Sequence, residues 1–143
     1  MSSISFNPAY STVVLNGHAF TSLAVGDNFT LAPVNELTSQ VNSTNGGVTV
    51  TKRSDGGVHD LTLRVQRYSD DDQFLNSAIN AETPTILNGS VKGPFVKDGT
   101  DMIESWILEQ GSITTRPTEA YNDQDGNGVM EYKVRFRNAV RNI

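Results

Sequence analysis

Met130-Glu131-Tyr132-Lys133-Val134-Arg135-Phe136-Arg137 decides the fold class. Apolar side chains at 130, 132, 134 and 136 alternate with charged ones at 131, 133, 135 and 137. A period of two places these sets on opposite faces of one β-strand, so Phe136 belongs to a core and Arg135 to water. The same alternation runs backwards through the chain. Leu61, Leu63 and Val65 oppose Asp60, Thr62, Arg64 and Gln66, and Phe29 and Leu31 oppose Asn28 and Thr30. Thr12 to Leu15 runs into Asn16-Gly17, the dipeptide that most readily takes the positive φ angles of a tight hairpin turn, with His18-Ala19-Phe20 returning.

The remaining segments are placed by turn and cap chemistry. Val48-Thr49-Val50-Thr51 and residues 58–66 read as a second hairpin about Asp55-Gly56-Gly57. The polar stretch 35–47 is too long for a hairpin turn and reads as an irregular loop of the length that usually carries function. Ser69 followed by Asp70-Asp71-Asp72 is an N-cap with acids in the first helical turn. Phe74, Leu75, Ala78 and Ile79 then recur at helical spacing, which predicts one helix of about three turns ended by Pro84. Residues 85–91, 95–96 and 102–109 read as further strands, the last holding Trp106, with Ile113 extending it past Gly111. Residues 1–9 show no period and read as an N-terminal arm, and 138–143 as a C-terminal one.

Composition agrees. The 143 residues hold 19% charged side chains and are rich in Ser, Thr, Asn and Gly. One mainly β domain over 1–143 is expected, a small β-barrel or sandwich flanked by one short α-helix. The net charge of −5 supplies no global attraction for nucleic acid. Absence of cysteine excludes disulfides, thiolate zinc sites and thiol nucleophiles. The N-terminus lacks a basic start and an apolar run, so synthesis in a cytoplasm and no membrane partner are expected.

Chemistry-bearing motifs are few. Asp123-Gln124-Asp125-Gly126-Asn127-Gly128 resembles the opening of an EF-hand loop, which makes Asp123, Asp125 and Asn127 a weak calcium candidate. Position 12 of that pattern is Val134, and a strand follows where a helix should, so an Asx-rich turn is the simpler reading. His18 reads as solvated beside its turn, and His59 cannot share a strand face with Asp60. There is no Gly-x-Ser-x-Gly elbow and no phosphate loop. Asp70-Asp71-Asp72 reads as a capped first turn and Trp106 as a core or interface side chain. No catalytic residue and no cofactor are expected. Strands with one wet face and long edges fit closure by copies of the same chain, and they fit an ordinary sandwich with solvated outer faces as well.

From about Tyr10 to Ala139 the order of elements resembles the tail tube proteins of contractile-tailed bacteriophages. The residues that carry the likeness are Asn16-Gly17, Gly26-Asp27, the polar 35–47 stretch, Asp55-Gly56-Gly57, the Phe74-to-Ile79 helix, the Trp106 strand and the closing Glu131-Tyr132 strand. That resemblance implies hexameric rings whose inner sheets join into one barrel, stacked into a tube within a virion tail assembled in the host cytoplasm. DNA would pass the lumen without specific binding, and tail sheath and baseplate proteins would be partners. It further implies a mildly acidic lumen face at Asn28, Thr30, Thr49, Thr51, Asp60, Thr62, Arg64 and Gln66. The 35–47 stretch, with Asn35, Glu36, Leu37, Gln40 and Asn45, would reach the neighbouring ring, and the two arms would strap subunits. An initiator, terminator or baseplate protein of the same fold is the first alternative. A calcium-dependent β-sandwich binding module is the second.

Overall fold

The protein is described from a computed structural model covering residues 1–124, 126 and 128–143. Its strands are Ile4–Phe6 (β1), Thr12–Leu15 (β2), His18–Ala19 (β3), Phe29–Pro33 (β4), Thr38–Asn42 (β5), Val48–Lys52 (β6), His59–Gln66 (β7), Leu87–Lys97 (β8), Thr100–Thr115 (β9) and Val129–Asn142 (β10). The helix α1 spans Asp70–Asn80 and lies between β7 and β8. All pairings are antiparallel, in the order β3-β2-β8-β9-β10-β7-β4, with β1 also on β8. The protein is mainly β, a small sandwich with a single helix among the described residues.

The predicted alternation forms with its predicted phase. Met130, Tyr132, Val134 and Phe136 are buried, and each sits opposite a β7 residue: Val65, Leu63, Leu61 and His59 respectively. Asn16 and Gly17 take φ of 48° and 81°, making the expected hairpin turn. The sheet then rolls until its ends meet. Segment 20–24 follows β3 at one end, yet the Ala24 amide donates to Arg64 O at 2.8 Å and the Gln66 amide to Ser22 O at 2.8 Å, on β7 near the other end. Between the layers lie Val13, Leu15, Phe20, Leu61, Leu63, Val65, Leu87, Leu108, Tyr132, Val134 and Phe136, with Leu75 of the helix covering them.

A kink lets two long strands serve both layers. Gln110 has φ 52°, and the inward side chains switch there from Leu108 on one side to Ile113 on the other. In β10 the inward residues switch from Phe136 to Ala139 at the same level. Gly111 is required at this point: a Cβ there would stand 2.4 Å from the Phe136 ring, which lies flat over the bare backbone.

Five expectations need correction. The 35–47 stretch is not an irregular loop, because its Thr38–Asn42 part pairs with Val48–Lys52 as a two-stranded ribbon. Every residue of that ribbon is exposed, so neither face needed an apolar period to signal a strand. β6 does not pair with β7, whose edges are taken by β4 and β10; the Val34 amide donating to Val58 O seats β4 at that edge. β8 runs unbroken through Gly93-Pro94. Pro94 lies between the stretch paired with β2 and the stretch paired with β1, where no partner strand needs its missing N–H. The 1–9 arm is tied to its own chain through β1, and Ser3 and Asp98 exchange backbone and side-chain hydrogen bonds at 2.9 Å. The C-terminal arm is mostly a continuation of β10 alongside β9.

Replacing Phe136 with Ala removes the ring that fills this kink and is expected to cost about 3 to 5 kcal/mol. Urea denaturation measures it, and a loss under about 1 kcal/mol would show that the ring is not packed as described.

Candidate assembly surfaces

Three features of the molecule are candidates for function: a polar sheet face, a projecting ribbon, and a hydrogen-bonded cluster under the helix. The polar face comes from the outward phase of β4, β7 and β10. It holds Asn28 and Thr30, then Asp60, Thr62, Arg64 and Gln66, then Glu131, Lys133 and Arg135 as cross-strand neighbours. Thr30 stands opposite Thr62, Arg64 opposite Glu131, and Asp60 opposite Arg135. Thr49 and Thr51 are not on this face; they lie on the ribbon. With Arg64, Lys133 and Arg135 against Asp60 and Glu131, this face has no acidic surplus.

Arg135 grips Asp60 through two hydrogen bonds, Nε at 2.8 Å and Nη2 at 3.1 Å. Those bonds hold the Asp60 carboxyl below the usual carboxylate range, against the opposing effect of burial. A depressed carboxylate stabilises the fold above its unfolded pKa of about 4, and that contribution fades as pH falls through the folded value. Because the Arg135 side chain is half exposed, the pair stabilises only modestly.

The ribbon is anchored at its base. Asn35 Nδ2 donates to Asp55 O at 3.2 Å, the Arg53 backbone amide to Leu37 O at 3.0 Å, and Arg53 pairs with Asp55 at 3.0 Å. Gly56 lets the Leu37 backbone pass within the space a Cβ would need. At the tip, Ser43 Oγ donates to Asn45 Oδ1 and accepts from the Gly47 amide at 2.9 Å. Asn35, Glu36, Leu37, Gln40 and Asn45 all belong to this one projection or its base, which is a ribbon and not a loop. Its exposed apolar side chains divide between its two faces, Val41 beside Thr49 on one and Val48 and Val50 beside Asn42 and Gln40 on the other, with Leu37 at the base.

Under the helix, His18 is not solvated as the sequence suggested. Its Nε2 lies 2.7 Å from Asp71 Oδ1, and its ring stacks on Phe74 at 4.3 Å. Asp71 is fully buried and also accepts the amides of Thr21 at 3.0 Å and Ser22 at 2.7 Å. Asp72 points elsewhere, accepting the Tyr132 hydroxyl at 2.6 Å and the Tyr68 amide at 3.0 Å. Burial first, and then the Asp72 carboxylate, push the Tyr132 hydroxyl well above the ordinary tyrosine range. The acids of the first turn thus do more than complement the helix dipole: Asp71 pins the segment that closes the sandwich, and Asp72 pins β10. The expected cap is present as well, Ser69 Oγ accepting from the Asp72 amide. Through Asp71 the pair ties the His18 ring and the Thr21 and Ser22 amides to the helix, which is the geometry of a latch.

His59 donates from Nδ1 to Gly57 O at 2.8 Å and packs against Trp106 with ring centres 5.6 Å apart. For the calcium candidate, Asp123 sits in an exposed turn supported by the Gln124 amide on Asn122 Oδ1, while Asp125 and Asn127 lie outside the described residues. No group of three His, Cys, Asp or Glu suited to a metal occurs among the described residues. Sequence reasoning missed the latch because His18 and Asp71 are distant in the chain and neither belongs to a motif.

No protein-family model matches the chain, and no curated protein matches it in sequence. Solved structures do. The chain is similar to the sheath/tube terminator of an extracellular contractile injection system, PVC, in the extended state: 12% identity, TM-score 0.62, 96% of each chain covered. It is similar to the anti-feeding prophage cap that terminates the tube, at 13% identity and TM-score 0.65, over 96% of this chain and 91% of that one. A structure of the PVC sheath-tube complex matches at 8% identity and TM-score 0.66, again over 96% and 91%. At these identities the likeness is one of fold.

Replacing Asp71 with Ala leaves the Thr21 and Ser22 amides without their carboxylate acceptor and frees His18 from its partner. The expected loss is about 2 to 4 kcal/mol in urea denaturation. A change within about 0.5 kcal/mol would show that the latch does not hold the closing segment.

Proposed function

We propose that this chain is a structural subunit of a contractile-tail-like assembly, placed where the tube ends, and that it works by joining copies of itself. The observation that carries this reading is the likeness of fold, end to end, to chains described as a sheath/tube terminator and a tube-terminating cap. The first of these matches covers 96% of each chain. The ribbon supports the reading, being an anchored projection in which every strand residue is exposed and valines stand on both faces.

In this proposal copies form a ring, six in number as the resemblance implies, with sheath and tube proteins as neighbours. The polar face of β4, β7 and β10 lines the lumen, and inner sheets of adjacent copies join into one barrel. Its residues are Asn28, Thr30, Asp60, Thr62, Arg64 and Gln66, supplemented by Glu131, Lys133 and Arg135. With its charges of both signs interleaved, such a wall attracts a passing polyanion only weakly. The ribbon, with Asn35, Glu36, Leu37, Gln40 and Asn45, reaches the ring beneath. The arrangement calls for no catalysis.

A repeating tube subunit is the second reading, favoured by the match to the sheath-tube complex. Negative-stain electron microscopy of the purified protein at rising concentration separates them. Single rings that do not grow are expected of a terminator, and long hollow tubes would establish the repeating subunit. A monomer at every concentration would contradict both.

A further inference from the structure

The far halves of β8 and β9 run past the sandwich as a flap, turned at Asp98-Gly99 and flanked by β1 and the end of β10. Strand register assigns its side chains to two faces. Phe6, Phe95 and Met102 lie side by side in one row, with Ile4 and Ile143 nearby, over the Glu104–Arg141 ion pair. The opposite face carries Pro94 beside Ile103 and Ile107 beside Val140, with Val96 close by. Both faces are grooved and both are in water: Ile4 is 62% exposed, Phe6 71%, Ile103 63% and Ile107 45%. A sheet apolar on both sides needs a layer on each, and the described residues complete neither.

We propose that the flap is the surface through which copies of this chain join head to tail, the Met102 face of one against the Ile103 face of the next; this rests on the self-assembly reading above. A second copy is the occupant because it supplies both missing layers by a single kind of contact. Any foreign partner covers one face and leaves the other wet. The rims differ in charge: Lys97 borders the Met102 face, while Asp101 and Glu109, against the single Lys92, leave the Ile103 face with an acidic surplus. A contact between two different faces is heterologous and propagates until it closes into a ring or runs on as a filament. This places subunit joining on the flap, separate from the ribbon.

Met102 and Ile103 are adjacent and point in opposite directions, which makes them a matched test. Sedimentation velocity is run on the wild type, on Met102→Glu, on Ile103→Glu and on an equimolar mixture of the two variants, with near-UV circular dichroism confirming the fold. Ile4→Glu and Ile107→Glu form a second pair with the same logic. The wild type is expected to form closed oligomers or longer species, and each variant to stay monomeric. The mixture, which retains one intact face of each kind, is expected to give a dimer and nothing larger. Variants that assemble as the wild type does would overturn the flap as the joint while leaving self-assembly standing. A mixture that stays monomeric would overturn the head-to-tail pairing. A wild type that is monomeric throughout would overturn the self-assembly reading, and the flap with it.

Discussion

Every strand shows side chains to two sides, and a sandwich hides only the sides that face inward. This two-sidedness governs the molecule. Where strands overlap in two layers, the inward set from Val13, Leu63, Leu108, Tyr132 and Phe136 makes a closed core, and the outward set is polar. Where strands outrun the layers, in the 38–52 ribbon and the 93–105 flap, both sides meet water, and the side chains there are not the purely polar ones that a finished surface carries. The chain is complete as a core and incomplete as a surface.

The closure of that core hangs on few contacts. The kink at Gln110 turns β9 and β10 from one layer into the other, and Gly111 leaves the space that Phe136 fills. Segment 20–24 joins the two ends of the rolled sheet, and Asp71 holds that segment from the helix by accepting two of its amides and His18. A buried carboxylate with three donors is well satisfied in place and costly to orphan. It fixes the helix to the seam.

Local signals in the sequence were legible wherever burial was one-sided. The 130–136 alternation, the Leu61-Leu63-Val65 phase, the Asn16-Gly17 turn and the Ser69 cap all appear in the structure where the pattern put them. Pairing partners were not legible, because β6 and β7 are neighbours in sequence but the edge of β7 goes to β4. β5 was invisible for a different reason: Thr38-Ser39-Gln40-Val41-Asn42 buries nothing, so no period marks it, and only the backbone ladder with β6 makes it a strand. Strands past the kink changed phase at Gln110 and Asn138, which hid the true length of β9 and β10 from an argument based on parity. Of the proposed lumen residues, the β4 and β7 sets share one face as expected, while Thr49 and Thr51 went with the ribbon.

Hydrogen–deuterium exchange, compared between dilute and concentrated protein, tests the claim that the core is self-sufficient and the projections are not. Amides of β7 and the first half of β10 should exchange slowly and equally in both samples. Those of 38–52 and 93–105 should exchange fast when dilute and become protected when concentrated. Projections already protected in the dilute sample, or unprotected in both, would contradict the account.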